Sequence, residues 1–293
     1  MNFKKVELAD AELLMPFLTE ADELTCEISF INLLLWEPLY NNCYCIENGI
    51  LYLKSYSDYV ETYSLPFGDI KKGMQRLTEC SDGHYPIIWA QAGRRFDEFK
   101  SLYGDRYEIT ESRNEFDYIY NTCNLINLSG KKYHSKRNHI SAFSKQFDWH
   151  YEDITSDNID AVKKCAEIWY SQNAAHTDEE LKTEMRGVNL MLDNMEKLDI
   201  KGGAIIADNK AVAFTLGSPV NSSVYDIHIE KAIEGYETAY TVINREFAAR
   251  NLSSYKYINR EDDLGLEGLR KSKLSYHPEI LLPKYICTEK ENI

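Results

Sequence analysis

The chain of 293 residues lacks a long uninterrupted apolar run. Its most apolar stretch, 28–36, contains Ser29 and Asn32 and is far shorter than the ~20 residues that a membrane-spanning helix needs. The lysines near the N-terminus are not followed by an apolar segment, so no signal peptide is predicted. We therefore expect a cytoplasmic protein that does not insert into a membrane.

Positive charge is also scarce. The chain has 33 Lys and Arg residues against 47 Asp and Glu residues, which gives a net charge of −14. A surface this acidic repels phosphate, so broad binding of nucleic acids or anionic membranes is disfavoured. An anionic partner would need a local basic site. Nothing in the composition indicates an oligomeric state.

Paired cysteine motifs are missing. The seven cysteines are irregularly spaced and none forms a CxxC pair. Zinc sites and thioredoxin-like sites require such spacing, so neither is predicted and we expect no metal centre. Reduced thiols are the ordinary state of such cysteines in a cytoplasmic protein.

The elements that are present follow the same order in each half of the chain: a helix, antiparallel hairpins, a helix and a strand. Hairpins are predicted around Asn48-Gly49 and Asp208-Asn209. This order predicts an α/β (α+β) protein with two tandem domains, each a mixed, mostly antiparallel sheet flanked by helices. A composition shift at 127–145 places the domains at 1–130 and 131–293.

One strand, 224–230, carries polar groups at alternate positions. Asp226, His228 and Glu230 should line one face because side chains alternate along a strand. Acyl transfer needs a base that takes a proton, and His or Glu can serve. All three are therefore candidate catalytic residues. The alternative is a solvated or internally paired polar face.

A basic segment, residues 131–139, stands out against the acidic background, with Lys131, Lys132, His134, Lys136, Arg137 and His139. Lys136, Arg137 and Asn138 lie in this segment, which has almost no acid. Lys and Arg hold phosphates by charge, and Arg can do so with two parallel hydrogen bonds. The segment is a candidate binding site for a tRNA acceptor end, a phospholipid headgroup or a nucleotide. The alternative is a solvated linker.

Four segments together resemble one family, the phosphatidylglycerol lysyltransferase C-terminal family. They are Ser29-Phe30-Ile31-Asn32-Leu33 with Trp36, Leu65-Pro66-Phe67-Gly68, Lys136-Arg137-Asn138-His139-Ile140 with Phe143, and the run 258–270 continuing to Lys271, Lys273, Tyr276 and Pro278. The resemblance implies two N-acetyltransferase-type (GNAT-like) domains and a likeness to the Fem-type aminoacyltransferases. Membrane-bound relatives move an aminoacyl group from charged tRNA to a lipid headgroup. From the sequence we expect no counterpart of their transmembrane half.

The resemblance also implies where substrates bind. In GNAT-like enzymes the start of one helix cradles the pyrophosphate of coenzyme A, which corresponds here to Gly235 and Tyr236. Glu237 follows directly, and its carboxylate would repel a pyrophosphate. Further substrate-binding candidates lie in the last motif and comprise Asn259, Arg260, Arg270, Lys273 and Tyr276. Part of this motif is explained by helix capping, with Asp262 or Asp263 at the start of a helix from Leu264.

Three functions compete. The leading one is an acyl- or aminoacyltransferase that uses aminoacyl-tRNA or acyl-CoA as donor and an amine or hydroxyl as acceptor. The second is a non-catalytic protein that binds a small anion or a partner on a degenerate GNAT fold. The third is an acetyl-CoA-dependent N-acetyltransferase.

Overall fold

The computed structural model describes residues 1–57, 60–173 and 179–290 and divides the chain into two compact units. Unit 1 contains residues 1–117, 262–269 and the C-terminal segment from Leu281; unit 2 contains residues 118–261 and 270–280. A contiguous division at residue 130 stays a prediction, while the contacts divide the chain near residue 117 and assign two later segments to unit 1.

The strands are β1 Lys4–Lys5, β2 Cys43–Glu47, β3 Ile50–Ser57, β4 Val60–Ser64, β5 Ile88–Gln91, β6 Tyr107–Glu111, β7 Asp117–Asn121, β8 Trp149–Asp153, β9 Lys201–Ala207, β10 Lys210–Pro219, β11 Val224–Ala232, β12 Tyr257–Asn259, β13 Ile280–Leu282 and β14 Lys284–Glu289. The α-helices are α1 Ala11–Glu20, α2 Phe30–Leu35, α3 Glu37–Tyr40, α4 Ile70–Cys80, α5 Arg94–Tyr103, α6 Thr122–Asn127, α7 His134–Gln146, α8 Ile159–Gln172, α9 Glu179–Asp193, α10 Ala239–Asn251 and α11 Glu267–Leu274.

The strands form two seven-stranded mixed sheets. The first has the order β1-β2-β3-β4-β5-β14-β6, and the second has the order β13-β7-β12-β11-β10-β9-β8. In the first sheet β4 and β5 are parallel, and in the second β11 and β12 are parallel. The hairpins β2–β3, β3–β4 and β9–β10 are antiparallel. The predicted fold class, two mixed sheets flanked by helices, is confirmed.

Both predicted hairpin turns are present. Glu47 pairs with Ile50 across Asn48 and Gly49, which have φ angles of 54° and 76°. Two consecutive positive φ angles are the requirement of the two-residue turn that fits the twist of antiparallel strands. The turn between β9 and β10 has the same form, because its two residues also have positive φ angles of 50° and 58°.

Unit 1 contains a buried lysine whose positive charge is balanced by adjacent carboxylates. Lys284 Nζ lies 2.7 Å from Asp117 Oδ1 and 2.9 Å from Glu27 Oε1. Burial alone would lower the pKa of Lys284, but the adjacent acidic groups raise it well above its usual value. The lysine is therefore charged and structural.

The structure of unit 1 gives a physical reason for one of the four segments that resemble the family. Arg95 on α5 donates from Nη2 to the backbone oxygens of Leu65 and Pro66, and its guanidinium lies 4.3 Å from the ring centroid of Phe67. The Leu65–Gly68 segment is thus held by one buried arginine, which is a structural role.

Two predicted local structures need correction. The basic segment is not a solvated linker, because its residues form α7. The last helix starts at Glu267 and not at Leu264, since Leu264 and Gly265 have positive φ angles of 51° and 71°. The backbone N–H groups of these two residues donate to Asp262 and Asp263, which therefore cap a turn.

Within the part of the chain that the structure describes, every helix is too short or too polar to cross a bilayer.

Candidate active site

A β-bulge lies at the centre of the candidate site. Gly217 of β10 pairs with Ile227, and the preceding residue, Leu216, pairs with Ile229, so His228 is an extra residue in β11. A bulge interrupts the alternation of side chains. In a regular strand Tyr225 and Glu230 would point to opposite faces, because one position is odd and the other even. Here both side chains contact α10. The expectation that Asp226, His228 and Glu230 share one regular strand face is wrong.

His228 is held among polar groups. Its Nε2 lies 2.8 Å from Ser218 Oγ, and its Nδ1 lies 3.3 Å from both Asp226 Oδ2 and Glu261 Oε1. The side chain of His228 is 1% exposed and that of Asp226 is fully buried.

Glu230 makes a different set of contacts. Its Oε1 accepts a hydrogen bond of 2.6 Å from Arg260 Nη2, and its Oε2 accepts one of 3.0 Å from Asn244 Nδ2 on α10. The side chains of Arg260 and Glu230 are 12% and 9% exposed. The bulge thus separates Glu230 from His228 and directs it toward the Arg260 guanidinium.

Aromatic rings surround this ion pair. The Arg260 guanidinium lies 4.8 Å from the ring centroid of Tyr276 and 5.7 Å from that of Tyr120. Lys136 Nζ lies 3.6 Å from the Tyr276 ring centroid. Two cations therefore share one tyrosine ring, which attracts positive charge.

We call this group the Arg260 cluster; its members are Lys136, Glu230, Asn244, Arg260 and Tyr276. Arg260 Nη1 and Asn244 Oδ1 are both buried and have no hydrogen-bond partner among the described residues. Buried polar atoms in this state are costly, and a bound ligand would satisfy them.

The pKa of Lys136 is lowered. Burial is the largest cause, the positive charge of Arg260 lowers it further, and the negative charge of Glu230 acts in the opposite direction. The result is a pKa of about 8. His139, on the same helix, also has a lowered pKa, because of burial and the nearby Lys136 charge.

The loop after β12 fixes the position of Arg260. Asn259 Oδ1 accepts a hydrogen bond of 2.7 Å from the backbone N–H of Glu261, which has a positive φ angle of 55°. Lys273 Nζ donates to the backbone oxygen of Arg260, and the N–H of Arg260 donates to the backbone oxygen of Tyr118. Asn259 and Lys273, both predicted to bind substrate, thus position the loop by these contacts.

Three residues that were predicted to bind substrate are not members of the Arg260 cluster. Arg137 Nη1 donates to the backbone oxygens of Leu128 and Gly130, just after α6. Asn138 contacts the ring of His134 on the exposed side of α7. Arg270 is half-buried on α11. A role in substrate binding stays a prediction for all three.

The loop before α10 differs from a phosphate cradle. The N–H of Gly235 donates over 2.9 Å to Oε1 of Glu237, and this bond lowers the pKa of Glu237. The hydroxyl of Tyr236 donates over 2.6 Å to Asp208 Oδ2. The N–H group that would face a pyrophosphate therefore already has an anionic partner from the chain itself.

Sequence reasoning missed Asn244, Thr241 and Tyr120. Asn244 and Thr241 are 5% and 4% exposed on α10. The Tyr276 hydroxyl lies 3.3 Å from Thr241 Oγ1. A signal was available, since two polar residues one turn apart in a buried helix require partners.

One family model matches most of the chain. The family described as phosphatidylglycerol lysyltransferase, C-terminal, matches residues 19–288. A crystal structure of a conserved protein of unknown function from Bacteroides thetaiotaomicron is 35% identical, with a TM-score of 0.90, and the alignment covers 99% of this chain and 100% of that chain.

Two further solved structures share the fold at low sequence identity. L-PGS from Bacillus licheniformis is 14% identical with a TM-score of 0.64, covering 99% of this chain and 94% of that one. FemX is 7% identical with a TM-score of 0.60, covering 98% of this chain and 97% of that one.

Proposed function

The chain belongs to the phosphatidylglycerol lysyltransferase C-terminal family, and on that premise we propose that it transfers an activated acyl or aminoacyl group to an amine or hydroxyl acceptor. Family membership supports transfer chemistry. The donor and the acceptor are part of the proposal, because a shared fold does not fix them.

The Arg260 cluster is the observation that carries this proposal. It combines two cations, Lys136 and Arg260, with the carboxylate of Glu230 in a buried aromatic setting. Buried donors stabilise the negative charge that develops on a carbonyl oxygen during acyl transfer, because little water screens them. The unpartnered Nη1 of Arg260 is suited to a phosphate or to such an oxyanion.

The loop at Gly235 favours an aminoacyl-tRNA donor over an acyl-CoA donor. In this loop the carboxylate of Glu237 occupies the Gly235 N–H, and its charge repels a pyrophosphate. An aminoacyl ester at the 3′ end of tRNA brings no pyrophosphate to this position. The Arg260 cluster can still hold the terminal ribose phosphate or the ester carbonyl.

The sequence-predicted proton acceptors are His228 and Glu230, with Asp226 beside them. Both oxygens of Glu230 already accept hydrogen bonds, and both ring nitrogens of His228 already contact Ser218 or carboxylates. A catalytic role for these three residues therefore stays a prediction.

A transfer assay tests the proposed function. Purified protein is mixed with tRNA charged with radiolabelled amino acids, and in parallel with labelled acetyl-CoA, in the presence of amine and hydroxyl acceptors including phosphatidylglycerol vesicles. We expect label to leave the tRNA ester faster than in a control without protein, and to appear in an acceptor. Equal loss of label with and without protein, from both donors, would count against a transferase.

One observation favours the non-catalytic alternative, namely the occupied Gly235 loop, which resembles an eroded cofactor site. A binding protein of this kind would show an increase in melting temperature with a small anion or with uncharged tRNA but no turnover. In that case alanine variants at His228 and Glu230 should bind the ligand as the wild type does.

A further inference from the structure

We propose that Lys136, rather than His228 or Glu230, takes the proton from the attacking amine or hydroxyl. This inference rests on the proposed transferase function and assigns one chemical role within the same site. Lys136 would otherwise serve only as a positive charge for a phosphate, which is the role that the sequence suggests.

The surroundings of Lys136 are unusual for a lysine. The residue is 6% exposed, and its Nζ lies 3.6 Å from the Tyr276 ring centroid. Among the described residues its ammonium forms a cation–π contact and no ion pair with a carboxylate. A buried ammonium without a carboxylate at contact distance loses hydration that a ring only partly replaces.

Four charged or titratable groups from different parts of the fold surround Lys136. Arg260 approaches from the loop after β12, Glu230 from β11, His139 from the next turn of α7, and Tyr276 from the segment after α11. Arg260 disfavours a second positive charge, and Glu230 is already paired with Arg260 over 2.6 Å. Together with burial, these charges give Lys136 a pKa of about 8. About a tenth of its amine is then neutral at pH 7.

The two alternatives are less suited to accept a proton. Both oxygens of Glu230 already accept a hydrogen bond from the protein, one from Arg260 and one from Asn244. The His228 ring lies between Ser218 on one side and the carboxylates of Asp226 and Glu261 on the other. The neutral amine of Lys136 carries a lone pair that can accept a proton.

The step balances with the groups at hand. The lone pair of the acceptor oxygen or nitrogen forms a bond to the carbonyl carbon of the donor, and the acceptor proton moves to Lys136 Nζ. The resulting oxyanion faces Arg260. When the intermediate collapses, the bond to the leaving oxygen breaks with its electron pair, and the Lys136 ammonium returns the proton to that oxygen. No oxidant or further reactant is required.

The variant Lys136→Arg separates a proton acceptor from a fixed charge. Arginine keeps the positive charge but is not deprotonated in proteins. We expect K136R to lose at least about 100-fold of the single-turnover transfer rate, within the range for loss of general base catalysis. Lys145→Arg is the matched control, since Lys145 is exposed on the same helix, and should leave the rate unchanged. A K136R rate within threefold of wild type would overturn the proposal.

The pH profile adds a readout that a purely structural role would not move. The wild-type rate should rise with pH to a plateau above about pH 8. Glu230→Gln removes a charge that raises the Lys136 pKa and should move the midpoint to lower pH. Arg260→Gln removes a charge that lowers it and should move the midpoint to higher pH, whatever the effect on the maximal rate. Shifts in the same direction would contradict the assignment.

A measurement without turnover distinguishes failure of this inference from failure of the proposed function. Trace labelling with acetic anhydride at pH 6 to 11, read residue by residue by mass spectrometry, gives the pH at which each amine becomes reactive. Lys136 should reach half-maximal reactivity near pH 8, well below the value of about 10.4 for an ordinary lysine. If Lys136 instead titrates like an ordinary lysine, it is not the proton acceptor, even if transfer is observed. If no donor supports transfer, the proposed function and this inference both fall.

Discussion

Arg260 Nη2 lies 2.6 Å from Glu230 Oε1, and this ion pair connects β11 to the loop after β12 across 30 residues of sequence. Both side chains are largely buried, and a second donor, Asn244, holds the other oxygen of Glu230. The pair therefore fixes the two charges that the proposed chemistry needs. Its energetic coupling can be measured.

A double-mutant cycle tests that coupling. Arg260→Met leaves the Glu230 carboxylate buried without its cation, and we expect the free energy of unfolding to fall by about 3–5 kcal/mol. The double variant R260M/E230Q should recover part of this loss, with an interaction energy of about 0.5–3 kcal/mol in urea unfolding. The control cycle uses Arg250 and Glu246, where Arg250 is 55% exposed and an interaction energy of about 0–1 kcal/mol is expected. Equal interaction energies in the two cycles would contradict a buried, coupled pair.

The lowered pKa of Lys136 makes stability depend on pH in a defined direction. The folded protein releases the Lys136 proton near pH 8, whereas the unfolded chain keeps it until about pH 10.5. The unfolded state therefore binds more protons between these values, so the contribution of Lys136 to stability rises with pH across this window. We expect the unfolding free energy of wild type minus that of Lys136→Met to increase from pH 8 to pH 10. A flat or falling difference in urea titrations would show that the pKa is not lowered.

Glu237 should exclude coenzyme A. Glu237→Ala removes the carboxylate that accepts a hydrogen bond from the Gly235 N–H. We expect the affinity for coenzyme A to increase by about fivefold, which corresponds to the loss of a charge repulsion of ~1 kcal/mol in water. Isothermal titration calorimetry measures this change. Tight binding of coenzyme A by the wild type, unchanged in E237A, would instead support the N-acetyltransferase alternative.

Arg137 should matter for stability and not for the donor. Its guanidinium donates to two backbone oxygens just after α6, so Arg137→Met leaves these acceptors without their donor. We expect a loss of about 0.5–1.5 kcal/mol in unfolding free energy, because water can reach the exposed Gly130 oxygen. Donor affinity measured in the same preparation should not change. A drop in affinity with unchanged stability would instead support the predicted role of Arg137 in substrate binding.

Features of the fold that depend on neighbouring residues were predictable from the sequence. Features that depend on pairing between separate strands were not. Asn48-Gly49 specifies its own turn, because both residues adopt positive φ angles at low cost. The bulge at His228 depends on how β10 pairs with β11, which strand periodicity alone does not reveal. The helix start at Leu264 was wrong because an aspartate caps a turn as readily as a helix.

The candidate site was predictable in part. Glu230, Arg260, Lys136 and Tyr276 were all singled out, and the structure places them together. The sequence did not show that Lys136 lies on the buried side of α7 while Arg137 contacts the end of α6, because that depends on the rotation of the helix.

The most direct test of the Arg260 cluster is the binding of a donor analogue that cannot react, an aminoacyl-adenosine monophosphate with an amide in place of the 3′ ester. Its dissociation constant is measured by calorimetry for wild type, Arg260→Met and the surface control Arg250→Met. A cluster that holds the donor predicts at least about tenfold weaker binding for R260M, as expected for loss of a charge-assisted hydrogen bond, and wild-type binding for R250M. Equal dissociation constants for R260M and wild type, in variants that remain folded, would contradict the proposed site.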